Sequence, residues 1–283
     1  MKAIAVNTYV VDVGSFRPVV VEILTDEGIS GVGEGAVGFG IGCNAAAAMI
    51  KELAERFVVG KDVGGILSIW NDFYYDTFWG KGAGAIFYAA VSALEQALWD
   101  IKGQALGVPV YELLGGKQRE VIPIYANGWS EGKCICPEDF AGRAAAVAEQ
   151  GFSAMKMYPM SQIDPIRHLN KHIKNREVTK KVFDCAVRAV ELVRQTIGAE
   201  RELLVDVTAE GTTDMMWRFG QAIEPYNIFW YEEAMDAFDV DAYRTIRDKV
   251  NIPLATGERL YTRYGFRRLL ESRAVDVVQP DPG

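Results

Sequence analysis

Three stretches decide the reading of this chain: ELLVD (202–206), IFWYEE (228–233) and IPLATGE (252–258). Each is a short apolar run that ends on an acid. Asp206, Glu232 and Glu258 fall at equal intervals of 26 residues. Runs rich in Val, Ile, Leu and aromatics, bounded by turn residues, read as buried parallel strands. The segments between them, DMMWRFGQAIEPY (214–226) and DVDAYRTIRDKV (239–250), carry helical spacing. Strand and helix alternating at a constant period predict a β/α barrel. The C-terminal ends of adjacent barrel strands crowd together. Three acids there repel each other unless a cation sits among them, and an all-oxygen donor set favours a hard one, Mg²⁺ first.

Working outward, the same alternation extends both ways. EVIPIYANGW (120–129) reads as a first barrel strand, and PEDFAGRAAAVAEQG (137–151) as a helix capped by Gly151. FSAMKMYP (152–159) reads as the second strand, and residues 160–178 as an inserted loop or short helix. KKVFDCAVRAVELVRQTIG (180–198) is the next helix, YTRYGFRRLLES (261–272) a later one, and AVDVVQPD (274–281) a sixth strand. The count is six strands and five helices where a full barrel has about eight of each. The expectation is therefore a C-terminally incomplete barrel, with an open edge and a weakened catalyst.

Upstream of residue 120 the pattern changes. Residues 1–34 alternate as a β-meander, with Asp26, Glu27 and Gly28 as hairpin turn chemistry. GAVGFGIGCN (35–44) is glycine-rich without the GxGxxG dinucleotide spacing, and reads as a mobile loop. Helical stretches follow at 45–59, 63–79 and 85–107. The fold class is α/β: an α+β capping domain over 1–119, then a (β/α) TIM-type barrel over 120–283, incomplete at its end. With 283 residues, 49% of them hydrophobic, the chain has core enough for both.

Bulk properties set limits. A net charge of −8 argues against nucleic acid as a partner. No apolar stretch reaches the roughly 18–20 residues that span a bilayer. The N-terminus lacks the apolar core and small-residue cleavage site of a signal peptide. Cys43, Cys134, Cys136 and Cys185 match neither a zinc site nor a disulfide framework, and read as free thiols of a cytoplasmic protein. His168 and His172 lie in a polar, basic segment without an HExxH pattern, and read as surface residues.

Taken together, these residues resemble the enolase superfamily, in its mandelate racemase and sugar-acid dehydratase branch. YAAVSALEQALWDIKGQALGVPVYELLGG (88–116) is similar to the end of that family's capping domain. LLVDVTAE, FWYEEAM, LATGERLYTRYGF and DVVQPD are similar to its third to sixth barrel strands. The resemblance implies a base that removes the proton α to a substrate carboxylate, with Mg²⁺ held by Asp206, Glu232 and Glu258. It implies an acid-sugar dehydratase, with GERLYTR on the galactonate and gluconate side, and a homo-oligomer in the family's full-length form. Glu233 is expected to hydrogen-bond beside the ligands rather than bind metal.

The family's second strand commonly ends in Lys-x-Lys; here it reads Lys156-Met157-Tyr158. Both Lys156 and Tyr158 point into the barrel, and either is the candidate base. Lys156 beside Mg²⁺ would have a lowered pKa, and Tyr158 near a cation would ionise more easily than usual. Arg259 is expected to bind a substrate hydroxyl or distal carboxylate, or to form a plain salt bridge. Asp281 matches a strand-six aspartate that orients a strand-seven histidine, which this chain does not contain. Thr208 stands where the family often has Asn, and Ala234 where it often has Pro. Two other readings stay open: a racemase or cycloisomerase sharing the same first step, and a truncated product that binds metal without turnover.

Overall fold

The computed structural model describes residues 1–14, 16–131, 134–160 and 179–282. The chain forms two compact units, residues 1–121 with 281–283 and residues 122–280. No helix among the described residues is long and apolar enough to cross a membrane.

The first unit contains the meander. Strands β1 (Ala3–Val10), β2 (Val19–Thr25) and β3 (Ser30–Gly35) pair antiparallel in the order β1-β2-β3. Gly28 makes the turn at φ +81°, a conformation that costs glycine nothing. Val19, Val21 and Ile23 alternate inward along β2 and are fully buried, as period-2 patterning demands. They share a core with helices α1 (Cys43–Phe57), α2 (Ile66–Tyr75) and α3 (Ala85–Leu106). A short α4 (Val110–Leu113) follows.

Strand β3 reads SGVGEG because α3 lies directly on it. A Cβ at Gly31 would stand 2.1 Å from the Ala97 carbonyl oxygen, and one at Gly33 2.0 Å from that of Ala93. The same helix closes the open edge of the sheet. The Val32 amide donates to Asp100 Oδ2 (2.9 Å) and the Glu34 amide to Gln96 Oε1 (3.2 Å). Gln96 Nε2 and Gln104 Nε2 donate to the carbonyls of Glu34 (3.0 Å) and Ser30 (2.7 Å). Gln96, Asp100 and Gln104 recur every four residues, on one helix face. They do for β3 what a fourth strand would do, and keep that edge from pairing elsewhere.

The second unit is the β/α part. Strands β4 (Ala154–Met157), β5 (Glu202–Asp206), β6 (Ile228–Glu232), β7 (Leu254–Thr256) and β8 (Val277–Val278) form one parallel sheet in sequence order. Helix α5 (Pro137–Glu149) precedes β4. Helices α6 (Lys180–Ile197), α7 (Thr213–Ile223), α8 (Val240–Arg247) and α9 (Thr262–Ser272) each precede the next strand. Side chains of Thr179, Thr212 and Asp239 cap three of these helices by accepting from the amides of Val182, Met215 and Ala242. The result is a parallel sheet of five strands wound in sequence, consistent with part of a barrel.

The sheet has two distinct faces. Met155, Met157, Leu203, Val205, Tyr231 and Leu254 join the apolar core with the helices. Lys156, Leu204, Asp206, Trp230 and Glu232 alternate with them and take the other face. The register pairs Lys156 with Leu204, Leu204 with Trp230, and Asp206 with Glu232.

Several elements differ from the sequence reading. The stretch 120–129 is not a strand. Its backbone pairs with the sheet only at Ala126, opposite Met155: the Ala126 amide donates to the Ala154 carbonyl (3.0 Å), and the Ala126 carbonyl accepts from the Lys156 amide (2.9 Å). Pro123 has no N–H to offer a ladder, and Val121, Ile122 and Ile124 are exposed. The strand read over 274–281 shrinks to Val277–Val278, because Pro280 and Pro282 again remove donors. The helix read over 63–79 stops at Tyr75, and a separate 3₁₀ turn covers Trp79–Gly82. Gln150 caps α5, with Gly151 one residue beyond at φ +89°. The insert after β4 and both histidines lie outside the described residues.

Candidate functional site

Strand ends place the candidate residues. Asp206 and Glu232 are the last residues of neighbouring strands and pair directly in the register. Both are buried, with 3% and 2% exposure. Lys156, two residues lower on its strand and also buried, reaches up between them. Its Nζ donates to Glu232 Oε1 at 2.6 Å and lies 3.2 Å from Asp206 Oδ2. One ammonium thus faces two buried carboxylates. Charge buried this way is stable only when paired and hydrogen-bonded.

The proton distribution follows from that imbalance. Burial alone would strip Lys156 of its proton, but Asp206 and Glu232 more than offset it, and its pKa lies above the ordinary lysine value. One positive charge does not satisfy two negative ones. Burial and the neighbouring Glu232 charge push Asp206 up to about 8. The sequence expectation concerns Lys156 and Tyr158 beside Mg²⁺; the protein's own groups by themselves raise both, Lys156 through the two carboxylates. Tyr158 is pushed up to about 12, since burial outweighs the help of the nearby lysine.

Tyr158 is half-buried, with the Lys156 Nζ 5.3 Å from its ring centre. Its hydroxyl donates to Asn127 Oδ1 at 3.0 Å. Tyr125 stands on the other side, 5.9 Å from the same ammonium. Its ring meets Trp230 edge-on at 5.7 Å. The Trp230 indole donates to Glu232 Oε2 at 2.8 Å. Sequence reading passed over Tyr125, Asn127 and Trp230. Period-2 alternation was available as a signal for Trp230, because it sits two residues before Glu232 and shares its face.

Glu233 turns away from this group. It is 1% exposed, and Thr256 Oγ1 and Arg259 Nη2 each donate to one of its oxygens. Arg259 also bridges to Asp236 at 3.1 Å. This clamp ties the ends of β6 and β7 together. It engages Arg259 as a salt-bridging residue. Glu258 is exposed, and burial of its surroundings, Glu233 and Glu232 all raise its pKa. Among the described residues, no three His, Cys, Asp or Glu side chains are gathered closely enough to form a ready metal cluster. Asp281 lies beyond β8, is exposed, and groups with the first unit.

The turn after Asp206 carries strain. Thr208 and Ala209 sit at φ +49° and +56°, and the Thr208 amide donates to Asp206 Oδ1 at 2.9 Å. A β-branched residue is a true outlier there, whereas Asn tolerates it. Thr208→Asn is therefore expected to raise stability by about 1 kcal/mol. A thermal melt checks this; an unchanged or lower midpoint would mean that the turn is not strained in solution.

The arrangement can hold a proton and a cation side by side at the mouth of a parallel sheet. Residues 3–115 match the mandelate racemase/muconate lactonizing enzyme N-terminal domain, and residues 139–283 match the enolase C-terminal domain-like family. D-galactonate dehydratase of Variovorax paradoxus is 32% identical over 281 residues, covering 99% of this chain and 68% of that protein. A solved structure from Mesorhizobium loti, provisionally described as a dehydratase, superposes with a TM-score of 0.94 at 44% identity, covering all of this chain and 73% of that one. The 3,6-anhydro-D-galactonate cycloisomerase of Zobellia galactanivorans superposes with a TM-score of 0.82 at 28% identity, covering 100% and 72%. The chain spans about two-thirds the length of the curated relatives it matches. It belongs to the enolase superfamily, in the mandelate racemase/muconate lactonizing branch.

Proposed function

We propose that this chain carries the site of a Mg²⁺-dependent acid-sugar dehydratase, which removes the proton α to a carboxylate and then expels water from the adjacent carbon. The observation that carries the reading is the Lys156 ammonium lodged between Asp206 and Glu232 at neighbouring strand ends. Kinship with D-galactonate dehydratases supports the substrate class.

Asp206, Glu232 and Glu258 would hold the cation. Their oxygens suit a hard ion, and the single Lys156 ammonium faces two buried carboxylates, Asp206 and Glu232. Bound there, the cation supplies positive charge for the substrate carboxylate as the α proton leaves. Lys156 and Tyr158 are the two proton-handling groups. Nζ of Lys156 lies between the Asp206 and Glu232 carboxylates, and Tyr158 Oη is aimed by Asn127. Loss of the α proton and of the β hydroxyl as water gives an enol, which tautomerises to a 3-deoxy-2-keto acid. Glu233, Thr256 and Arg259 hold the β6 and β7 ends in place.

Two measurements test this. Titration calorimetry should show Mg²⁺ uptake by the parent and affinity weakened about tenfold or more in Glu232→Gln. Equal affinity in both removes Glu232 from the ligand set. Incubating galactonate and gluconate in deuterated solvent should give the 3-deoxy-2-keto acid with deuterium at C3, taken up as the enol ketonises. The kinship with a cycloisomerase supplies the second reading: exchange at the α carbon without loss of water would favour a racemase or cycloisomerase outcome.

A further inference from the structure

Trp230 does more than fill the sheet's inner face. Its side chain lies one step below Glu232 on the same face of β6, and its indole N–H reaches Glu232 Oε2 at 2.8 Å. Indole nitrogen only donates, so the contact fixes which oxygen it holds. The other oxygen, Oε1, accepts from Lys156 at 2.6 Å. A carboxylate gripped at both oxygens cannot rotate. The two grips differ in kind. Lys156 is a charged group on a flexible stem, shared with Asp206 at 3.2 Å. Trp230 is neutral, and its ring is braced edge-on against Tyr125. If Lys156 leaves to handle a proton, Trp230 still holds Glu232 in place.

We infer that Trp230 is a positioning residue for Glu232, holding Oε2 so that Oε1 is the oxygen presented for exchange between Lys156 and a bound cation. This rests on the proposed cation site. Partners of this type, which orient a ligand from behind, typically change metal affinity by about 10–100-fold when removed.

The test replaces Trp230 with benzothienylalanine, which keeps the fused ring and loses only the N–H, alongside Trp230→Phe. Each protein is titrated with MgCl₂ alone by calorimetry, and its melting temperature is measured without Mg²⁺. The expected result is Mg²⁺ affinity about tenfold weaker in the benzothienylalanine protein, with its melting temperature within a few degrees of the parent. A residue that only packs would lower the melting temperature in Trp230→Phe and leave affinity unchanged in the isosteric variant. Equal affinity in the parent and the isosteric variant overturns the assignment while leaving the cation site standing. No Mg²⁺ uptake by the parent overturns the cation site and the Trp230 role with it.

Discussion

Lys156→Met is expected to destabilise the protein by about 3–5 kcal/mol at pH 8, because it leaves two buried carboxylates without a counter-charge. The loss should depend on pH in a definite direction. A carboxyl whose pKa is raised on folding binds its proton more tightly in the native state. Stability then falls as pH rises from the unfolded value near 4 towards the folded one. For Asp206 the folded value is already about 8 with Lys156 present. Without the lysine, Asp206 and Glu232 must both keep protons or bear mutual repulsion. The deficit against the parent should therefore be largest at pH 8 and shrink at pH 5. Lys156 itself, raised above its ordinary value, contributes stability across this whole range. Thermal melts at the two pH values decide it. Equal midpoints for parent and variant at pH 8 would mean that the carboxylates do not depend on Lys156. Mg²⁺ provides a second check, since a cation that binds only the folded state stabilises by mass action. Rescue of the variant by Mg²⁺ would connect the stability defect to the cation site.

Gly33→Ala should be at least as damaging, and for a reason that involves no charge. The added methyl would stand 2.0 Å from the Ala93 carbonyl oxygen and 3.0 Å from its carbon. Those atoms belong to the backbone of α3, a 22-residue helix that cannot yield as a side chain would. Overpacking a core costs about 1–3 kcal/mol where side chains can shift. Here the helix must move off the strand. That movement also breaks the bonds from Gln96, Asp100 and Gln104 that satisfy β3. The expected outcome is a loss above about 3 kcal/mol and poor recovery of folded protein. Gly60→Ala is a useful contrast: it has a positive φ but open space around it, so strain without collision should cost only about 1 kcal/mol. Hydrogen exchange of the β2 and β3 amides reads both. Full protection in Gly33→Ala would show that the contact relaxes.

The chain itself determined the parallel strands that end in Asp206 and Glu232, and the helices between them. Apolar runs closed by acids, with Thr212 and Asp239 as caps, state those elements locally. Alternation likewise placed Lys156 on the face of Asp206 and Glu232. It could not decide the fate of 120–129. Its apolar alternation looks like a strand, but a strand exists only through its partner, and only Ala126 meets one. Nor does spacing along the chain state which carboxylate meets which cation. Glu232 and Glu233 are adjacent in sequence, yet one faces Lys156 and the other Arg259, because β6 ends at Glu232 and the backbone turns out of the strand at Glu233, φ +48°. The pKa directions also belong to the folded state alone. Burial and the count of charges around Lys156 set them, and both arise only when β4, β5 and β6 come together.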